Sequence, residues 1–374
     1  MYPVSALPVF LLTLLIPVAL MLWFLYSISR AGESERRANW IVFRRRMHAV
    51  FLVETAAWWA FWDFQGLIRP VSLWCAFIVG IALVHLASYS FDRIFLGRRW
   101  TLGDVLQLTF WRTVSPAVAL GLAAIGFDAI YDHRPSGIVW LVAAAIAALV
   151  GTVRLQLAEG MKLQEVKSGT AYKRAFVLSR EMGTDLKRVY VVPAGRGHMT
   201  NAFGLRRGIA LTDNYGKFLH GAQLDFVIGH ELAHVKGRHG RKKLFMTAVI
   251  YVMTGVLFLA APRILNAFHP LFNFIAILGP IFATYYVSRH FEYAADRAAI
   301  ELTRDLEAGI NALASLYRIT RAPTDCDWVT ELFMTHPSFT NRARAIGEIG
   351  KMPEDQVAEL IREARGREPI HVGV

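Results

Sequence analysis

The sequence predicts a mainly α, polytopic membrane protein of about seven transmembrane helices, with a small α+β domain on the cytoplasmic side. Three observations carry this. Apolar residues make up 55% of the 374 positions and charged residues 19%, and mean hydropathy is +0.36, outside the usual balance of a soluble domain. The apolar residues gather into runs long enough to cross a bilayer. Basic residues gather beside those runs, as in Arg44-Arg45-Arg46 and Arg241-Lys242-Lys243, the pattern of cytoplasmic membrane flanks. The formal charge of +12 thus has a membrane explanation, and without a basic–aromatic strip or a nucleic-acid module, nucleic acid is not an expected partner. Cys75 and Cys326 form no pattern, which argues against a disulfide framework or a cysteine metal site.

Residues 1–153 are expected to form an N-terminal transmembrane region. Residues 1–29 carry no charge. Leu7–Ile28 is too long for a typical signal-peptide core and is followed by charge rather than a small-residue cleavage site, so it reads as a retained span. Arg30, Arg36, Arg37 and Arg44–Arg46 then mark the cytoplasmic side and put the N-terminus outside. Further spans are expected at Val71–Phe91, Leu106–Phe127 and Gly137–Val153. Met47–Ile68 carries Glu54, Asp63 and Gln65. It is either an interfacial aromatic helix or a span with its acids toward an aqueous cavity. Loop charges favour the span, because Arg93, Arg98 and Arg99 then fall inside and the loop at 128–136 falls outside. Arg112 either pairs with one of those acids or snorkels.

Residues 154–243 have ordinary globular composition. Thr170–Met182 has helical periodicity, with Gly183 as its stop. Arg188–Pro193 reads as a strand closed by proline. Asn201–Leu205 and Gly208–Thr212 read as short strands joined in a hairpin at Arg206-Arg207-Gly208. A small mixed sheet of this kind offers an edge that binds extended peptide through backbone hydrogen bonds.

The helix from about Ala222 to Lys236 carries His230-Glu231-Leu232-Ala233-His234. Four residues on a 3.6-residue turn return almost to the same azimuth, so the histidines share a face. Neutral imidazoles so placed bind a tetrahedral zinc, and the intervening glutamate can take a proton from water activated there. Lys236–Lys243 follows with five Lys or Arg in eight residues, which puts the site at the membrane surface or in an aqueous chamber.

Residues 244–288 are expected to form a transmembrane hairpin, Leu244–Ala261 out and Pro270–Ser288 back. Residues 289–374 then re-emerge with Glu292 and Asp296 one helical turn apart. This spacing lets Glu292 complete a zinc shell while Asp296 orients a ligating histidine through its ring N–H. The alternative for the pair is a solvated helix face. Helices near Asp305–Ile319 and Pro353–Arg365 are expected to pack over this core. His198, His220 and His239 lie in charged or loop-like stretches where solvation is expected.

Four motifs occur in order: Asn201-Ala202-Phe203, His230-Glu231-x-x-His234, Glu292-x-x-x-Asp296, and His336-Pro337 with Arg342 six residues after the histidine. Over roughly residues 154–350 the chain resembles the membrane-bound gluzincin proteases that include HtpX and the type 1 CAAX prenyl proteases. The resemblance implies a zincin-like catalytic domain holding one zinc per chain on His230, His234 and Glu292. It implies Glu231 as general base, with His336 and Arg342 at the cleft, stabilising the oxyanion or holding the substrate carbonyl. Read without it, His336 is a helix-entry histidine and Arg342 a surface residue. Asn201-Ala202-Phe203 would be the substrate-aligning edge strand.

The expected function is therefore a zinc-dependent, membrane-embedded endopeptidase of multi-pass topology in a bacterial cell membrane, its active site facing the cytoplasm. Its expected partners are the lipid bilayer and a polypeptide substrate, either a membrane-associated or misfolded protein or a lipidated C-terminus. The non-enzymatic alternative is a scaffold stapled by structural zinc. Such sites usually close their fourth position with a protein ligand, commonly cysteine, and Glu231 would have no role in one. A zinc hydrolase acting on a non-peptide bond is a third reading.

Overall fold

The structure, a computed structural model, describes residues 99–158, 163–193, 201–260, 269–320, 324–332 and 334–366, with isolated positions 19, 23, 24, 26 and 30. The chain divides into two compact units. One comprises residues 1–96, 100–159 and 246–283. The other comprises residues 97–99, 160–245 and 284–374. The expected spans Leu7–Ile28 (but for a few isolated positions), Met47–Ile68 and Val71–Phe91 lie outside the described residues.

In the first unit, helices α1 (Leu102–Tyr131) and α2 (Ser136–Ala158) pack together. They coincide with the expected runs Leu106–Phe127 and Gly137–Val153. A reciprocal cap starts α1. The Thr101 amide donates to the Asp104 carboxylate at 2.8 Å, and the Asp104 amide donates to Thr101 Oγ1 at 3.2 Å, satisfying donors the first turn leaves free. At its end His133 adopts φ 56° and the Arg134 amide donates back to the Ala129 carbonyl at 2.7 Å, a left-handed closure. Leu106, Phe110, Ile138, Val139 and Ile146 point outward, exposed. Among the described residues no helix is long and apolar enough to cross a membrane.

The second unit is a small four-stranded sheet with helices packed on it. Strands β1 (Gln164–Val166), β2 (Arg188–Val192), β3 (Ala202–Gly204) and β4 (Gly208–Thr212) lie in the order β1-β2-β4-β3. β1 pairs antiparallel with β2, β2 parallel with β4, and β3 antiparallel with β4. The sheet is thus mixed, as expected, and the β3–β4 hairpin forms. Phe203 pairs with Ala210, and the Leu205 amide donates to the Gly208 carbonyl across the turn. β1 was not expected, and β3 is shorter than the predicted Asn201–Leu205.

Helix α3 (Thr170–Met182) ends at Gly183 in the left-handed conformation, φ 69°, where a side chain would be strained. It packs on α5 (Ala222–Gly237), the helix carrying the two histidines. Arg174 clamps the pair, donating from Nε and Nη2 to the two Asp225 oxygens at 2.8 and 2.5 Å. Between β4 and α5 lies the short α4 (Asp213–Phe218). Every residue of β4 is buried. Its Ile209 and Leu211 share one core with Phe226, Ile228 and Leu232 of α5. Burying each such side chain contributes about 1.5–3 kcal/mol.

α6 (His239–Ala260) and α7 (His269–Thr303) follow. They coincide with the expected runs Leu244–Ala261 and Pro270–Ser288, but α7 does not stop at residue 288. It continues as one helix of 35 residues through Glu292 and Asp296. Helices α8 (Leu306–Thr320), α9 (Trp328–Leu332), α10 (Phe339–Ile349) and α11 (Glu354–Gly366) complete the unit. The expected C-terminal helices are α8 and α11. Phe339 and Ile346 of α10 and Leu313 of α8 enter the same core as α5.

Candidate active site

The face of α5 that meets α7 is buried polar rather than apolar. His230 and Glu231 are buried and His234 half-buried, while Leu232 and Ile228 anchor the helix in the core. Glu292 and Asp296, both buried, stand one turn apart on α7 and meet this face. His230 Nε2 lies 3.1 Å from His234 Nε2. The Glu292 oxygens lie 3.4 Å from His230 Nε2 and 3.5 Å from His234 Nε2. A tetrahedral zinc with bonds of about 2.0–2.1 Å separates its ligand atoms by roughly 3.3–3.4 Å. The two imidazole nitrogens and the two oxygens of the one carboxylate thus approach one another at about that spacing, and the donor set is one zinc accepts. His230, His234 and Glu292 are the group of metal-capable side chains found among the described residues.

The supports of these three side chains are ordered. His230 Nδ1 lies 2.8 Å from Asp296 Oδ1. Arg342 donates to the same carboxylate from Nε at 2.8 Å and from Nη2 at 2.6 Å. His336 Nδ1 lies 2.9 Å from Glu292 Oε2. Glu231, beside the cluster, faces a cavity of about 290 Å³. Asn201–Gly204 of the edge strand line the same cavity, as do His336 and Arg342. β3 comes this close because Gly204 has no side chain. A Cβ there would lie 3.0 Å from His234 Cβ and 3.2 Å from the Glu231 carbonyl.

Residues 171–349, a stretch containing all ten predicted site residues, match peptidase family M48. Over that segment the chain is similar to this family. Its M48 segment is a metallopeptidase, and comparisons with whole proteins agree. A protease HtpX homologue of Lactobacillus helveticus is 24% identical over 286 residues, covering 62% of this chain and 93% of that protein. A protease HtpX homologue of Methanocaldococcus jannaschii is 27% identical over 214 residues, covering 46% and 72%. Among solved structures, the crystal structure of S. mikatae Ste24p aligns with a TM-score of 0.52 at 14% identity, over 90% of this chain and 98% of that one. The last is a likeness of fold: mainly helical, with a small sheet.

The M48 site is electrostatically polarised. Burial works against charge on His230, but the hydrogen bonds to Asp296 and Glu292 outweigh it and raise its pKa to about 10. Burial, followed by the neighbouring His230, lowers that of His234 to about 3. Glu231 moves up to about 7, chiefly because it is buried and then because Glu292 is near, with His230 opposing. Burial also disfavours the Glu292 carboxylate, yet His336 and His230 hold its pKa well below the usual range. Asp296 is lowered likewise, with Arg342 overcoming burial. A carboxylate raised toward neutrality next to a metal-capable cluster is the arrangement a general base requires.

Of the ten predicted site residues, all but Asp296 line the cavity, and Asp296 lies directly behind it. Arg342 is not the surface residue its sequence context alone suggests, since its guanidinium is buried against Asp296. His220 is exposed, as expected. His239 is a correction. Instead of being solvated it lies 2.8 Å from His234 Nδ1 and stacks on Phe291. Tyr215 was also missed. It is buried beside Glu231 and lines the cavity, and burial followed by the Glu231 charge raises its pKa. A tyrosine in a short helix after a strand gives no sequence signal of this.

Proposed function

We propose that the chain is a zinc-dependent endopeptidase embedded in a membrane, with one zinc on His230, His234 and Glu292. The observation that carries this is the convergence of those three side chains beside a buried Glu231 and an open edge strand. When bound, zinc would supply a Lewis acid that polarises the scissile carbonyl and makes a water acidic enough to give up a proton and attack it. Glu231 takes the proton of that water and delivers it to the leaving amine nitrogen. The backbone of Asn201 and of Ala202 and Phe203 in β3 holds the peptide extended, which suits substrates of unspecified sequence. His336, the more exposed of the two C-terminal residues, is placed to hold the oxygen that gains charge. Arg342 commits two donors to Asp296 and acts by orienting His230 through it.

Membrane residence is supported by the outward apolar side chains of α1 and α2, joined by Phe245, Val252 and Met253 of α6, also exposed. Basic flanks such as Arg241-Lys242-Lys243 support a cytoplasmic site. Membrane-associated or misfolded polypeptides are the proposed substrates, since backbone pairing along an edge strand does not depend on sequence. A second reading, trimming of lipidated C-termini, is favoured by the fold likeness to Ste24p over 90% of the chain. The test uses purified full chain with an unfolded protein and a farnesylated peptide, with and without chelator. Wild type should carry one zinc and cleave. Glu231→Gln should keep the zinc and lose cleavage, and equal turnover by that variant would sink the mechanism. Preference for the farnesylated peptide selects the second reading.

A further inference from the structure

His239 is not one of the three candidate ligands, yet three features of the chain hold it against the second of them. α5 ends at Arg238, whose φ of 51° turns the chain back. A side chain is strained in this conformation, so the turn is held by its surroundings. Gly237 leaves room for the returning ring, because a Cβ there would fall 2.2 Å from His239 Nε2. Phe291, the neighbour of Glu292, stacks flat on the imidazole, with centroids 4.5 Å apart and planes 6° from parallel. The ring so fixed puts its Nδ1 2.8 Å from His234 Nδ1.

Two ring nitrogens at that distance share one proton, so one donates and the other accepts. His234 turns its Nε2 toward His230 Nε2 and Glu292. Its proton is then on Nδ1, and His239 Nδ1 is the acceptor. The geometry also excludes His239 as a fourth ligand, because its Nδ1 meets the far side of the His234 ring. We infer that His239 is the positioning partner of His234, accepting its Nδ1–H and fixing its tautomer and ring angle, as Asp296 does for His230. This rests on reading His230, His234 and Glu292 as a zinc site. The two histidines thus have unlike supports. One leans on a carboxylate held by an arginine, the other on an uncharged ring held by a phenylalanine.

The test is zinc affinity, measured on the full chain by competition with a chromophoric chelator after the metal has been stripped and returned. His239→Phe keeps the stack on Phe291 and removes the acceptor. His239→Asn places an amide oxygen near the position of Nδ1. Loss of such an outer partner weakens metal binding by about 10–100-fold, which is the expectation for His239→Phe, while His239→Asn should bind close to wild type. Wild-type affinity in His239→Phe overturns the inference, as does an equal loss in both variants. Should the phenylalanine variant fail to fold, His239→Asn decides alone: retained affinity supports the inference and a loss of about tenfold or more overturns it. His234→Ala separates the underlying reading. If wild type binds no zinc, or His234→Ala binds it as well as wild type, the zinc site itself is wrong.

Discussion

Arg342 meets Asp296 with two parallel hydrogen bonds of 2.8 and 2.6 Å in a region closed to solvent, and the acceptor of the second, Asp296 Oδ1, also faces His230 Nδ1. One carboxylate thereby ties α10 and α7 to the first histidine of α5. A planar fork on a carboxylate fixes angle as well as distance, which a lysine ammonium would not.

Neutralising that carboxylate leaves a buried guanidinium without its counter-charge. Asp296→Asn should therefore lose roughly 3 kcal/mol or more of stability, read as a fall in the thermal unfolding midpoint. Adding Arg342→Leu should raise the midpoint above that of the single variant, because the uncompensated charge is gone. A double variant no more stable than Asp296→Asn would show that the pair is not coupled in this way.

Gly204 is the point at which the edge strand touches the histidine helix. Gly204→Val forces a side chain against His234 Cβ and the Glu231 carbonyl, at a cost of about 1–3 kcal/mol if the fold absorbs it. The strand should move away from the cleft. Cleavage of an unfolded substrate should fall at least about tenfold, since misplacement by 1 Å alone can cost two orders of magnitude. Zinc content by elemental analysis should stay unchanged.

The segment carrying His336 is fastened from outside. Arg289 Nη1 lies 2.9 Å from the carbonyl oxygens of Glu331 and Met334 and 3.4 Å from that of Leu332. Glu331 in turn accepts from the Ser338 amide and from Asn341. Arg289→Met should speed amide exchange across residues 334–338 and lower turnover while sparing zinc. Unchanged exchange there would mean the clasp is dispensable.

Stripping the metal should destabilise the catalytic unit more than any single variant above. A ligand present at a thousand times its dissociation constant stabilises by about 4 kcal/mol. Chelation should therefore lower the unfolding midpoint, and added zinc should restore it. In Glu292→Gln, chelator and zinc should shift the midpoint much less.

How much of this could be read from the chain depended on distance along it. The i, i+4 pairs His230/His234 and Glu292/Asp296 are legible because helical geometry alone puts each pair on one face. The β3–β4 hairpin is legible because its turn is local. The parallel pairing of β2 with β4, with β3 placed outside, is not, since each strand's own pattern is silent about its neighbour. β1, with the three residues Gln164–Val166, is too short to show alternation. His239 was missed for a conformational reason. Its return to His234 hinges on a positive φ at Arg238, a residue that carries no propensity signal for it.

The Arg289 clasp grips main-chain oxygens only, so it is indifferent to which side chains the gripped residues carry. An exposed position such as Leu332 is therefore free to drift over generations, or to be randomised in a library, while the course of the backbone there is kept. The surface leading to His336 can be re-lettered there without rebuilding the hardware beneath it.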